Sequence, residues 1–411
     1  MLGNWFGMTK WKFFGEPPAY VDKEKAPGAS EVPKETIFGW ITKAPFVLVT
    51  SPNFVWALAS LGVYWWAPYP TNVTEPLSYS FVKERMAVWV PVVFGYTGFL
   101  HVGLHVLDFA LRPFIPERQY NYDKLLHNTF WTLSGVTIWT LYENVFCFLW
   151  STGRLPYISN PSTLQVVLEL AAIPVWRSVH FYFAHRFLHF GPLYQQVHSL
   201  HHRNTDIEPF SGLCMHPVEH LYYFACILPS LVFRCSPYAF LWNGVHLLMS
   251  PAASHSGWED HMQSDAFHYM HHRYFECNYA GTDAGFMDVI FGTFRGSMDE
   301  VKPRADAKST LRAVPTSEFL VYLGLSYSCF ALWYQFVNNV ATTKYQAVFL
   351  SLLTGFGPTI LSVFVSRAFG GGSRIAPAKM SVFGNTFHLV IGSLFCAVPV
   401  SYTSYLALKN V

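Results

Sequence analysis

The chain has 411 residues, of which 52% are hydrophobic, 18% aromatic and only 13% charged. A soluble protein with so few charged residues could not cover its surface, so the composition excludes an ordinary soluble domain and indicates a membrane protein. The net charge of +2, without a basic stripe, gives no indication of a nucleic acid partner.

Apolar stretches long enough to cross a bilayer follow one another along most of the chain. Residues 1–43, which are mixed and contain lysine, are predicted to be a cytosolic N-terminal segment, and residues 44–163 to hold the N-terminal transmembrane helices. The predicted spans are 46–67, 87–111, 129–150, 164–183, 319–337, 346–365 and 381–406. The shorter stretches 221–233 and 238–249 suit a re-entrant or tilted hairpin, and their number of crossings stays open. Residues 296–411 form a C-terminal extension with about three transmembrane helices.

The positions of lysine and arginine orient these spans. Basic residues concentrate in the N-terminal segment and in residues 112–124, 302–312 and 367–379, which the positive-inside rule assigns to the cytosol. Lys83 and Arg85 lie in a loop assigned to the opposite side and weaken the count. In this orientation the chain emerges near Phe183 on the cytosolic side, where a dense series of histidines begins.

Three short histidine clusters carry the strongest chemical signal. They are His185-Arg-Phe-Leu-His189, His198-Ser-Leu-His201-His202 and His268-Tyr-Met-His271-His272. Residues three and four apart share one face of a helix, so each cluster is predicted to point its imidazoles in one direction. Neutral imidazole binds iron, zinc or copper, and eight ligands exceed what one ion accepts. The predicted fold class is therefore an all-α integral membrane multi-helix bundle with a cytosolic cap that holds a histidine-rich di-metal site.

These clusters, with Asn278-Tyr279-Ala280-Gly281 and residues 288–293 behind the last one, resemble the fatty acid hydroxylase/sterol desaturase superfamily. The similarity covers residues 164–295, which would form the catalytic domain. It implies a multi-pass membrane enzyme, in the endoplasmic reticulum for the family's eukaryotic members, with two histidine-bound non-haem iron ions. Such enzymes use O2 and electrons to hydroxylate, desaturate or epoxidise lipids. The resemblance implies that all eight histidines bind metal, that His255 is a further ligand, and no catalytic residue beyond the metal centre.

Four other residues are expected to support the ligands without binding metal. Residues 211–220 are similar to a subgroup of sterol-desaturase-like proteins, in which His216 and Glu219 would stand behind the site. Hydrogen bonds between the outer imidazole nitrogens and Glu219, Asn278 or Asp288 are expected to orient the ligands. Two departures concern the substrate: Ser178 stands where many sterol enzymes carry Asp, and the helices after residue 316 extend past the usual end of the family.

The sequence thus predicts an O2-dependent lipid oxidoreductase of the endoplasmic reticulum with its active site on the cytosolic side. A sterol or related isoprenoid is the favoured substrate, and a fatty acyl chain or epoxidation of a linear triterpene is the alternative. No cytochrome b5 domain is visible in the chain, so we expect a separate electron donor such as cytochrome b5 and its reductase.

Other interpretations explain fewer of these residues. His216-x-x-Glu219-His220 fits an inverted zinc metallopeptidase motif, but Pro217 suits only a first helical turn, and the eight clustered histidines would have no role. His101 and His105, four residues apart in a span, fit haem ligands but better fit a buried hydrogen-bonded pair. A metal transporter would place its ligands near the bilayer midplane, whereas these clusters lie at or beyond the ends of the predicted spans.

Overall fold

The computed structural model describes residue 38 and residues 52–107, 122–257, 264–280, 285–296 and 386–408. All regular secondary structure in these residues is helical, which confirms the all-α prediction. The α-helices are α1 Pro52–Trp66, α2 Tyr79–His101, α3 Tyr122–Ser151, α4 Thr163–Leu188, α5 Gly191–Gln196, α6 Pro217–Phe224, α7 Leu228–Val232, α8 Pro237–Ser254, α9 Ser264–Tyr274, α10 Gly285–Ile290 and α11 Thr386–Leu408. A π-helical turn, Val102–Val106, extends α2, and 3-10 turns occupy His198–Arg203, Pro209–Leu213 and Ala225–Ile227.

Within the described residues, three helices are long and apolar enough to cross a membrane. They are Tyr79–Val106, Thr163–Leu188 and Phe387–Ala407, and each overlaps a predicted span. The predicted span 129–150 lies inside α3, a helix of 30 residues with a more polar sequence. The predicted spans 319–337 and 346–365 lie outside the described residues.

Most residues of the short apolar stretches between residues 221 and 249 are buried inside the protein, although Val232 and Phe233 at the end of the first stretch are exposed. The first is broken into α6, a 3-10 turn and α7, and the second is α8. Every residue of α8 from Tyr238 to Ala252 is buried. A helix that is apolar on all sides is typical of a protein core or a membrane span, and α8 is surrounded by other helices of the bundle.

Aromatic side chains join α8 to α3. The ring of Phe240 stacks on Trp139 at a centroid distance of 5.0 Å and on Phe146 at 4.3 Å. Gly244 allows this close approach, because a Cβ atom there would overlap the Trp139 ring. Helix α4 packs on α8 from another side, and α11 packs along α4. Burying each of these large rings contributes about 1.5–3 kcal/mol to stability, so their packing stabilises the contacts between α3 and α8.

A buried ion pair accounts for one of the basic residues that weakened the charge count. Arg85 donates from Nε to Oε2 of Glu143 at 2.8 Å, and their side chains are 5% and 0% exposed. The same carboxylate accepts hydrogen bonds from Trp89 Nε1 at 2.8 Å and from the Tyr69 hydroxyl at 2.6 Å. Arg85 is therefore a packing partner of α3 inside the bundle and carries no information about membrane orientation.

Candidate metal centre

The nine histidines named from the sequence converge as two groups, each with its ring nitrogens close together. The first histidine group is His185, His189, His198, His202 and His271, and the second is His201, His255, His268 and His272. Within each group the candidate ligand atoms all lie within 4.8 Å of one another. None of the nine residues is more than 3% exposed.

Four segments supply these side chains. The last turn and C-cap of α4 carry the first cluster, and the 3-10 turn His198–Arg203 carries the second. His255 is the C-cap of α8, and α9 carries the third cluster. Each group combines residues from distant parts of the chain, so the site forms only when these elements are packed together.

The Nε2 atoms of neighbouring rings face one another at short distances. In the first group, His202 Nε2 is 3.0 Å from that of His198 and 3.1 Å from that of His271. In the second group, His255 Nε2 is 3.0 Å from that of His272 and 3.3 Å from that of His201. Ligands on metal–nitrogen bonds of about 2.1 Å lie about 3.0 Å apart at right angles and about 3.4 Å apart in a tetrahedron. The nitrogen spacing therefore fits one metal ion in each group.

Five of the nine rings pair their outer nitrogen, Nδ1, with a protein oxygen. The pairs are His185 with Tyr279 O at 2.8 Å, His198 with Glu219 Oε1 at 2.7 Å, His201 with Cys214 O at 3.3 Å, His255 with Pro251 O at 2.9 Å, and His271 with Cys277 O at 2.6 Å. Four of these partners are carbonyl oxygens, which only accept, so in those four rings Nδ1 carries the proton and Nε2 presents a lone pair. Several lone pairs aimed at one point repel one another unless a cation binds there.

Burial keeps these imidazoles neutral. It lowers the pKa of His198 and of His201 to about 3. The pKa values of His202, His271 and His272 also lie well below the ordinary value, because of burial and then of neighbouring histidines. Neutral imidazole is the form that binds metal, so no deprotonation of the rings is needed at neutral pH.

Glu219 is the predicted supporting residue that contacts a ligand directly. Its carboxyl group is 2.7 Å from Nδ1 of His198, and both side chains are buried. Burial raises the pKa of Glu219 to about 8. His216 is the N-cap of α6, where its Nδ1 accepts a hydrogen bond from the backbone N–H of Val218 at 3.2 Å. It therefore helps to start the helix that carries Glu219.

Asp288 supports the site through the backbone and not through an imidazole. Its two carboxylate oxygens accept hydrogen bonds from the N–H groups of Tyr279 at 2.9 Å and Ala280 at 2.8 Å. The carbonyl group of Tyr279 is the acceptor for His185. Asp288 therefore fixes the segment that orients a ligand of the first group.

Asn278 fixes the same segment from its other side. Its backbone has φ +53°, in the left-handed region that Asn tolerates better than most residues. The side chain donates to the carbonyl oxygens of Phe267 at 3.0 Å and Arg295 at 2.9 Å, and it accepts from the Arg295 N–H at 2.7 Å. The expected hydrogen bonds from Asn278 and Asp288 to imidazoles are thus replaced by a rigid loop whose carbonyl groups perform that role.

A cavity borders the second histidine group. His201, His255 and His268 line it together with the apolar side chains of Phe181 and Met215. Among the described residues that line this cavity, none belongs to the first group. The two groups therefore differ in their access to a molecule in the cavity.

Sequence reasoning missed two kinds of residue at this site. The first kind is backbone carbonyl groups that orient ligands, those of Cys214, Pro251, Cys277 and Tyr279. Every residue has a carbonyl group, so the residue type does not reveal this role. Arg177 also lines the cavity. The sequence could have indicated Arg177, because burying an arginine in an apolar span is energetically costly and such an arginine is usually functional.

The rival interpretations do not produce convergent ligands in the described residues. Neither histidine group contains His216, Glu219 or His220. The rings of His101 and His105 stack at a centroid distance of 5.3 Å, and His105 Nε2 lies 2.7 Å from the carbonyl oxygen of Ser256. Of the expected buried hydrogen-bonded pair, the structure shows two stacked rings, with His101 buried, His105 partly buried, and a hydrogen-bond contact from His105 to the residue that follows His255.

Comparisons with known proteins agree with this geometry. Residues 170–293 match the family model described as fatty acid hydroxylase. A Delta(7)-sterol 5(6)-desaturase of Gibberella zeae is 29% identical over 146 residues, 32% of this chain and 43% of the relative. A methylsterol monooxygenase 1 of Gallus gallus is 32% identical over 122 residues, 27% of this chain and 41% of the relative. A fatty acid hydroxylase of Mycosarcoma maydis is 25% identical over 197 residues, 45% of this chain and 49% of the relative. No solved structure matches.

Residues 170–293 are therefore similar to the fatty acid hydroxylase family, and the resemblance inferred from the histidine clusters is confirmed. The chain spans 43%, 41% and 49% of the length of these three relatives. The matched segment lies inside the predicted catalytic domain and contains all nine histidines.

Proposed function

We propose that this chain is a membrane oxidoreductase that uses two non-haem iron ions and O2 to hydroxylate or desaturate a lipid. The favoured substrate is a sterol or a related isoprenoid, in line with the sterol desaturase and methylsterol monooxygenase relatives. The observation that carries the proposal is the pair of buried histidine groups, each with nitrogen spacing suited to one ion. Family membership and the relatives indicate an oxidoreductase.

The residues of the chain have separate tasks in this proposal. Bound iron would supply the activation of O2 for attack on an unactivated C–H bond. The hydrogen bonds on Nδ1 hold the imidazoles in one orientation, and burial excludes bulk water from them. The first histidine group would hold its ion with up to five imidazoles, and the second group with up to four. Because the second group has fewer ligands and borders the cavity, oxidation of the substrate is assigned to that group.

A fatty acyl chain is the alternative substrate, and the fatty acid hydroxylase relative supports it. We further propose a place in the endoplasmic reticulum, a cytosolic active site, and electrons from a separate donor such as cytochrome b5 and its reductase. Purified chain that turned over with NADH alone would contradict the separate donor.

Metal transport fits the site less well. A transporter must release its ion, and so it binds with few or weak ligands. The nine neutral imidazoles here are buried and in part held by hydrogen bonds, which favours permanent retention of metal.

Metal analysis with an oxidation assay tests the proposal. We expect two iron ions per chain in protein purified in lipid nanodiscs, and lipid-dependent O2 consumption with a reductant. The control is His246→Ala, which removes a buried histidine of α8 that bonds to Asn53 outside both groups. This variant should keep both ions. An active preparation free of transition metal, or vectorial metal flux without lipid oxidation, would overturn the proposal.

A further inference from the structure

Arg177 is a buried cation inside α4, a helix long and apolar enough to span a membrane. The residue is 7% exposed, and its Nη2 donates a hydrogen bond to the hydroxyl oxygen of Ser250 at 2.7 Å. Its Nε has no hydrogen-bond partner among the described residues. An arginine side chain stays protonated in proteins, so this positive charge cannot be relieved by loss of a proton.

The contrast with Arg85 shows what is missing around Arg177. Arg85 is also buried in a candidate span, but the carboxylate of Glu143 neutralises it. Within the described part of the chain, no Asp or Glu lies within ion-pair distance of Arg177. Burying a charge without a partner is costly, and the cost is offset when a ligand supplies an acceptor oxygen.

Arg177 lines the cavity that reaches the second histidine group. Ser250 and Tyr223 are polar parts of the same wall, and the Tyr223 hydroxyl already donates to Leu247 O at 3.1 Å. Further lining comes from the apolar groups of Phe181, Met215 and Pro251. The cavity therefore offers a positive site and apolar walls next to the candidate metal ligands, with room for a small polar group such as an acceptor oxygen.

We propose that Arg177 and Ser250 bind an acceptor oxygen at the polar end of the lipid substrate. That oxygen belongs to a carboxylate in a fatty acid or to a hydroxyl group in a sterol. The inference rests on the proposed function, because it takes the second histidine group as the place of oxidation. It narrows the substrate to lipids that carry oxygen and argues against a hydrocarbon such as a linear triterpene.

Binding measured without turnover tests this subsite. The full chain in nanodiscs is kept anaerobic and without reductant, and binding of radiolabelled palmitate is competed with hexadecane, cholesterol, cholestane, squalene or sodium sulfate. We expect cholesterol to displace the labelled palmitate better than the hydrocarbons do. Arg177→Met should weaken palmitate binding by about 10- to 100-fold, the range for a lost hydrogen bond to a charged group. Arg177→Lys should keep the preference for the acid, because it keeps the charge.

Arg154→Met is the matched control. Arg154 is a half-buried arginine that donates to the carbonyl oxygens of Leu406 and Ala407, and it does not line the cavity. This variant should bind palmitate as the wild type does. If Arg177→Met does not fold, a comparison of Arg177→Lys and Ser250→Ala with the wild type still measures the preference for oxygen-bearing lipids.

The outcomes separate this inference from the proposed function. Equal binding of palmitate and hexadecane by the wild type, or unchanged palmitate binding in Arg177→Met, would overturn the inference. Competition by sulfate but not by lipid oxygen would show a free-anion site and would also overturn it. Binding that depends on Arg177 in a chain without iron-dependent oxidation would instead reject only the proposed function.

Discussion

Replacement of Glu219 tests whether a hydrogen bond to one ligand sets the metal affinity of the first histidine group. The Glu219 carboxyl group lies 2.7 Å from Nδ1 of His198, and neither residue is more than 2% exposed. Loss of such an outer partner typically lowers metal affinity by about 10- to 100-fold. Gln can still accept a hydrogen bond from His198, so Glu219→Gln should lie near tenfold, or about 1.4 kcal/mol. Ala leaves Nδ1 without this acceptor in a buried site, so Glu219→Ala should approach 100-fold.

The assay is competition for iron against a chelator, with metal analysis of the protein that remains folded. The ligand that hydrogen-bonds to Glu219, His198, belongs to the first histidine group. One of the two ions should therefore be lost before the other. Glu169→Gln is the matched control, because Glu169 is a buried glutamate that accepts from the N–H and hydroxyl groups of Ser236, away from both groups. The reasoning fails if Glu219→Ala retains both ions at wild-type affinity, or if Glu169→Gln loses iron equally.

Three further predictions address the ligands, the orienting loop and the core. His271→Ala removes a ligand of the first group, and His201→Ala removes a ligand of the second group. Each variant should lose turnover and should bind one iron ion where the wild type binds two. Retained turnover in either variant would argue against the ligand assignment. Asp288→Asn leaves one backbone N–H without its acceptor, because an amide has one accepting oxygen where the carboxylate has two. Denaturation should show a free energy of unfolding lower by about 1–3 kcal/mol, and iron binding at the first group should be weaker. Gly244→Ala should destabilise the fold by about 1–3 kcal/mol in thermal unfolding, because the added methyl group overlaps the buried ring of Trp139. Gly95→Ala is the control and should not destabilise the fold, because no atom lies within 4 Å of its new Cβ.

Much of the architecture could be predicted because it depends on local composition. A stretch of some 20 apolar residues has few stable solutions other than a helix in a membrane or in a core. Hydropathy alone could not separate these two solutions for α8, whose apolar side chains face other helices. That distinction depends on which helices pack around a segment, and the sequence of the segment does not contain this information.

The spacing of the histidines predicted which residues would come together, but it did not predict how they would be distributed between the two histidine groups. All three histidines of the second cluster were expected on one face of a helix. The segment is a 3-10 turn, and its histidines divide between the groups: His198 and His202 join the first group and His201 joins the second. The third cluster divides as well, since His271 joins the first group and His272 the second.

The sequence by itself determined that the chain is helical, suited to a membrane, and equipped with clustered imidazoles, because these properties follow from residue type and from spacing within a few turns. Only the tertiary structure decided which distant imidazoles share one candidate ion, which carbonyl groups orient them, and which group borders the cavity. The reason is that contacts between α4, α8, α9 and residues 277–280 arise when their apolar surfaces are buried together. The same packing leaves Arg177 without an acidic partner among the described residues, beside candidate metal ligands far away in sequence.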